Sequence, residues 1–128
     1  MILDTSYLID LFDGVEAAFE KGVELTERRA IQRVPSPVVM ELSYGAAFGD
    51  EDERRNVRNA LRMYPIAEQT APIARRAGEL LARADADGDS GIDNVDPMIA
   101  AVADRHDEPV VTDNSYDFRA LGVDIETY

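Results

Sequence analysis

Four acidic places stand in surroundings that do not otherwise favour charge. Asp4 closes the short apolar run Met1-Ile2-Leu3 and is followed by two hydroxyls, Thr5 and Ser6. Glu41 lies within Pro37-Val38-Val39-Met40-Glu41-Leu42, Asp96 directly precedes Pro97-Met98-Ile99-Ala100-Ala101, and Asp113 and Asp117 flank Asn114 after Val110-Val111-Thr112. Singly, most have ordinary uses: Asp4 and Asp96 can cap helices, and Asp113 and Asp117 suit turns. Glu41 is harder to dismiss, because carboxylates are rarely buried without a partner. Together they suggest a shared pocket. Crowded carboxylates repel and desolvation raises their pKa, so such a cluster is unfavourable until a divalent cation reverses the penalty. With oxygen ligands alone, Mg²⁺ is the expected occupant and Mn²⁺ its alternative, keeping several waters and leaving room for a phosphate oxygen.

The elements that would position these acids alternate between strand and helix. After the opening strand, Leu8, Ile9, Leu11 and Phe12 fall at helical spacing up to Gly14, and a second helix is expected from Val15 to about Glu27. Ala30 to Val34 alternates like a strand and stops at Pro35; Ser36-Pro37 reads as an N-cap and first helical position, opening a helix to about Phe48. Glu51 to Met63 is amphipathic, Tyr64-Pro65-Ile66 extended, and Thr70 to about Asp85 helical, before the acidic loop Asp87-Gly88-Asp89-Ser90-Gly91. A helix from Pro97, a strand at Pro109 to Thr112, a helical turn at Phe118 to Leu121 and an edge strand at Val123 to Glu126 complete the chain. This order predicts an α/β fold, a mainly parallel sheet covered on both faces, in one domain over residues 1–128. Asp4 and Asp113 would sit at strand carboxyl ends, where such folds bind ligands if the two strands meet at the switch point.

Composition narrows the chemistry. The absence of cysteine removes disulfides, thiolate metal sites and thiol nucleophiles, and the single histidine, His106, fits a surface or helix-end role. No apolar run approaches the roughly 20 residues needed to cross a bilayer, and Asp4 and Asp10 interrupt any signal-like start, so a cytoplasmic protein is expected. The formal charge is −13, with 26 acidic against 13 basic residues and Lys21 as the sole lysine. That balance suggests a high-salt, halophile-like cytoplasm, where a Debye length of roughly 3 Å at 1 M screens self-repulsion. The same charge argues against a nucleic-acid partner at low salt, an objection that loses force at molar salt.

The four motifs, in this order, resemble those of PIN-domain proteins, most closely the VapC group of ribonuclease toxins from type II toxin-antitoxin modules. The resemblance runs over essentially the whole chain. It implies an α/β/α three-layer sandwich, Mg²⁺-dependent endoribonuclease activity leaving a 5′-phosphate and a 3′-hydroxyl, a homodimer, and inhibition by a cognate VapB-like antitoxin. Carried over by position, Asp4 and Asp96 match the acids most directly tied to the metal, and Glu41 matches the third. At the fourth place Asn114 occupies a position often acidic, with Asp113 and Asp117 on either side; either aspartate could supply the charge. Under this reading metal held by Asp4 and Asp96 activates water. Glu41 or an aspartate of the last cluster orients or deprotonates that water, Thr5, Ser6 and Thr112 bond ligands or phosphate, and Asn114 holds a water.

Other readings use the same residues. A PIN fold that has lost catalysis and serves as an interaction module is suggested by Asn114. The stretch Asp85 to Asp96 places acids at positions one, three and five of a calcium-loop register. It has Ser90 where the turn needs glycine and Asp96 where a bidentate glutamate belongs. The arginines at 54, 55, 58 and 62 share a helical face, which suits either an RNA-binding patch or a solvated face paired with Glu51 and Glu53.

Overall fold

The computed structural model describes all residues, 1–128. It contains β1 (Ile2–Leu3), α1 (Thr5–Phe12), α2 (Glu16–Glu27), β2 (Val34–Pro35), α3 (Ser36–Ala46) and α4 (Glu51–Leu61). Then follow β3 (Ile66–Ala67), α5 (Ala71–Ala86), α6 (Asp96–His106), β4 (Val110–Val111), α7 (Ser115–Ala120) and β5 (Ile125–Glu126). All strand pairs are parallel: Ile2 lies opposite Val110, Val110 opposite Ile125, and Val34 opposite Ile66. A single parallel bridge between Ile2 and Arg33 joins the two groups, giving the spatial order β3, β2, β1, β4, β5. The chain steps outward from β1 through β2 to β3, then returns to the other side of β1 for β4. The switch point therefore falls between β1 and β4, the two strands that end at Asp4 and Thr112.

Successive strand residues face opposite sides of a sheet. Ile2, Leu3, Val110 and Val111 are all fully buried, so both faces are covered, as a three-layer α/β/α sandwich requires. One core of 25 buried residues joins these strands to Tyr7, Leu8, Leu25, Val38 and Phe118 and to the apolar face of α6, Ile99 to Ala103. Ala100, Ala101 and Ala103 of α6 are all buried in this core.

Several boundaries differ from those the sequence suggests. Ala30 and Ile31 do not form a strand: Arg29 takes a left-handed conformation (φ +54°) and Ala30 N–H bonds back to Leu25 O at 3.0 Å, so the chain is still closing α2. Pairing begins only at Arg33. Ser36 is the first residue of α3 and caps nothing; its hydroxyl donates to Ala67 O at 3.3 Å, stitching β2 to β3. Asp96 is likewise inside α6, whose start has no side-chain cap, and its carboxylate is left for other work. No helix is long and apolar enough to cross a membrane.

Candidate functional site

Asp4 leaves β1 at the switch point and turns directly into α1. Its Oδ1 accepts from Thr5 N–H at 2.7 Å, so it is a helix cap, yet Oδ2 accepts two further bonds, from Ser6 Oγ at 2.9 Å and Thr112 Oγ1 at 2.7 Å. Thr112, fully buried at the end of β4, also accepts from Asn114 N–H at 2.9 Å. A cap needs one oxygen; the other is held by Ser6 in the first turn of α1 and by Thr112 after β4. Burial raises the pKa of Asp4, opposed by the hydrogen bonds from Thr112, Ser6 and Thr5.

Asp96 enters from the first turn of α6. Asn114 donates its Nδ2 to Asp96 Oδ2 at 3.2 Å and to Asp117 Oδ2 at 2.8 Å, so one amide bridges two carboxylates from different helices. Burial, with Asp4 and Asp117 nearby, pushes Asp96 up to about 7. Glu41, half-buried on α3, joins through Thr5, whose hydroxyl donates to Oε1 at 2.6 Å. Asp113 is exposed and its side chain takes part in none of these bonds. Of the two aspartates flanking Asn114, the structure thus ties Asp117 to Asp96 and leaves Asp113 at the rim.

No lysine, arginine or histidine bonds to Asp4, Glu41, Asp96 or Asp117; their partners are hydroxyls, amides and each other's neighbours. Four acids at the carboxyl ends of the inner strands without a balancing cation is the condition a divalent ion relieves. No three carboxylates converge closely enough to ligate one ion together. The donor set therefore fits a small hard cation that keeps most of its waters and takes one or two carboxylates, as Mg²⁺ does. Asp4 lies near enough to Asp96 for its charge to raise the pKa of that carboxyl.

No three acids of the calcium-loop register converge on one point. Asp85 belongs to α5, Asp93 bonds Val95 N–H at 2.9 Å, and Asp89 accepts from the Tyr116 hydroxyl at 3.3 Å. On α4, Arg54 and Arg58 pair with Glu51 and Arg55 pairs with Asp52, while Glu53 pairs with none of them. Two neighbours of the site escaped sequence reading. Tyr128 donates its hydroxyl to Asp10 Oδ2 at 2.8 Å, a contact across 118 residues that no local pattern announces. Asp10 shows a weak signal, sitting one helical turn beyond Ser6 on the same face.

Residues 1–123 match the family model of the PIN domain. Over 99% of its length the chain superposes on 97% of a chain of VapBC2 from Rickettsia felis, solved bound to a DNA fragment from their promoter, with a TM-score of 0.86 and 22% identity. DNA-bound VapBC from Salmonella typhimurium gives 0.84 and 25% identity over 98% of this chain and 96% of that one. A toxin-antitoxin complex from Klebsiella pneumoniae gives 0.74 and 26% over 91% and 88%. No curated protein matches the chain by sequence.

Proposed function

The chain belongs to the PIN domain family, and from that premise we propose that it is a VapC-like toxin that hydrolyses RNA phosphodiester bonds with Mg²⁺, or Mn²⁺ in its place. The carrying observation is the set of acids at the β1/β4 switch point with no basic partner. Asp4 and Asp96 would hold the ion. Bound there, it supplies a Lewis acid that polarises the scissile phosphate and acidifies water. Thr5, Ser6 and Thr112 fix the carboxylates before substrate arrives: the three donors on Asp4 leave it one orientation, and Thr5 aims Glu41. Glu41 Oε2, free of the Thr5 bond, accepts the proton of the attacking water. Asn114 donates to both Asp96 and Asp117, so its amide offsets part of the repulsion between the two carboxylates, and Asp117 adds negative charge beside the site. In-line displacement breaks the P–O3′ bond, the departing 3′-oxygen takes a proton from solvent water, and the products are a 5′-phosphate and a 3′-hydroxyl.

The partner in this reading is a cognate VapB-like antitoxin, supported by the toxin-antitoxin complexes among the structural neighbours. A basic segment would complement the −13 charge, which also favours a high-salt cytoplasm as the working environment. A homodimer is part of the same proposal.

RNA cleavage by the purified protein in molar salt, with Mg²⁺ against EDTA, tests it. Cleavage should require the metal and fall by about 10³-fold or more in Asp4→Asn, with the fold intact by circular dichroism. Cleavage that survives EDTA or Asp4→Asn would overturn the assignment.

A further inference from the structure

The segment that ends β5 is tied down at two points, one on α2 and one on α1, the helix that leaves the acidic site. Arg28, at the end of α2, grips Glu126 with two bonds, Nη1 to Oε2 at 2.9 Å and Nη2 to Oε1 at 3.1 Å. Lys21, the sole lysine and itself buried, adds a contact to the same carboxylate at 2.8 Å. Two residues later Tyr128 lays its ring edge-on against Tyr7, centroids 5.2 Å apart at 67°, and donates its hydroxyl to Asp10. Tyr7 and Asp10 belong to α1, the helix that Asp4 caps. Ser6 and Asp10 are four residues apart and share one face of it. The Tyr128 hydroxyl lies among Ser6, Asp10 and Asp113, all three of which act on its ionisation. Burial and the bond to Asp10 hold the phenol protonated far above neutrality, so it is a permanent donor.

We propose that Tyr128 is a positioning residue for the acidic site. By holding Asp10 it fixes the rotation of the first two turns of α1, and with them the Ser6 hydroxyl that donates to Asp4 Oδ2 and the Thr5 amide that donates to Oδ1. The ring's packing on Tyr7 would hold the tail in place without a hydroxyl; the hydroxyl is what couples the tail to the face carrying Ser6. The catalytic consequence rests on the nuclease reading, whereas the effect on Asp4 does not.

Tyr128→Phe keeps the ring and deletes the coupling. Two readouts separate the claims. The Thr5 amide proton, bonded to Asp4, should change its NMR shift in Tyr128→Phe while amides of α5 stay in place. RNA turnover should lose about tenfold in kcat with KM within about twofold, the scale of one hydrogen bond to a charged group. Asp10→Ala deletes the acceptor of the same bond and should reproduce both the Thr5 shift change and the loss of turnover; a Thr5 amide that stays in place in Asp10→Ala overturns the proposal. An unmoved Thr5 amide in Tyr128→Phe overturns the proposal whether or not the wild type cuts RNA. A displaced amide in a protein that cuts no RNA supports the positioning role and removes the nuclease reading instead.

Discussion

Asp96 and Glu126 are carboxylates of one small protein under opposite electrostatic conditions. Glu126, at the end of β5, is held below the usual carboxylate range by its bond to Arg28 and by Lys21. Glu51 on α4 is likewise lowered, by Arg54 and then Arg58. Asp96 and Asp4, at the β1/β4 edge, are both raised by burial, and acids surround Asp96 where a base would relieve it. The chain has 13 lysines and arginines, and none of them hydrogen-bonds to the four site acids. Where a protein satisfies its charges in one region and leaves them in conflict in another, the conflict marks the place that waits for a ligand.

The sharpest way to break this contrast is to neutralise one acid on each side. Asp96→Asn should bring RNA cleavage down by about 10²-fold or more, whereas Glu51→Gln should leave it within about twofold. Initial rates at saturating Mg²⁺ decide it. Equal losses from the two variants would mean that the edge acids are not special.

Next in size is the pH dependence of stability without divalent cation. The folded pKa of Asp96, about 7, lies above its ordinary value of 3.8, so between those pH values the native state binds more protons than the unfolded chain. This group's contribution to stability is therefore greatest at low pH and is lost as pH rises toward 7. Asp96→Asn removes the penalty, so its melting temperature at pH 8 in EDTA should exceed that of the wild type by a few degrees. Mg²⁺ should close the gap by stabilising only the wild type. A variant no more stable than the wild type under these conditions would remove the electrostatic conflict on which the metal assignment depends.

Asn114→Asp tests the bridge between the two helices. The substitution deletes the donor shared by Asp96 and Asp117 and adds a third negative charge. The metal-free protein should lose about 1–3 kcal/mol, and the Mg²⁺-induced rise in melting temperature should grow. If calorimetry finds the metal-free variant as stable as the wild type, the amide bridge carries no weight.

What the sequence makes legible follows from how local each feature is. Asp4 after Ile2-Leu3 and Thr112 after Val110-Val111 are each announced within a few residues and the structure places them as expected; the helix at Ser36-Pro37 is announced as well, with Ser36 as its first residue in place of its cap. The strand expected at Ala30 and Ile31 fails because two apolar residues after a helix look the same whether they pair in a sheet or finish a helix end, and Arg29 adopts the left-handed turn without the glycine that would signal it. The fourth acid was open for a different reason. Asp113 and Asp117 are equivalent by composition, and only the folded loop shows that the Asn114 amide faces Asp96 and Asp117 together. Tyr128 and Asp10 lie at opposite ends of the chain and are joined by tertiary structure alone.

The smallest expected effect concerns the arginines of α4, which a sequence pattern offers as an RNA-binding patch. No residue of that helix is buried, and Arg54, Arg55 and Arg58 already share the carboxylates of Glu51 and Asp52. Exposed pairs of this kind contribute little and are screened further by salt. Replacing Arg55 and Arg58 with glutamine should therefore move the melting temperature by no more than about 2 °C and leave KM for RNA within about twofold at molar salt. Repeating the measurement at low ionic strength sharpens the comparison. A phosphate-binding face would show a KM that rises on substitution and a slope against salt that flattens by about one unit for each arginine lost. If neither changes, α4 is a solvated face whose charges are spent on each other, and recognition of RNA falls to the edge where the charges are not.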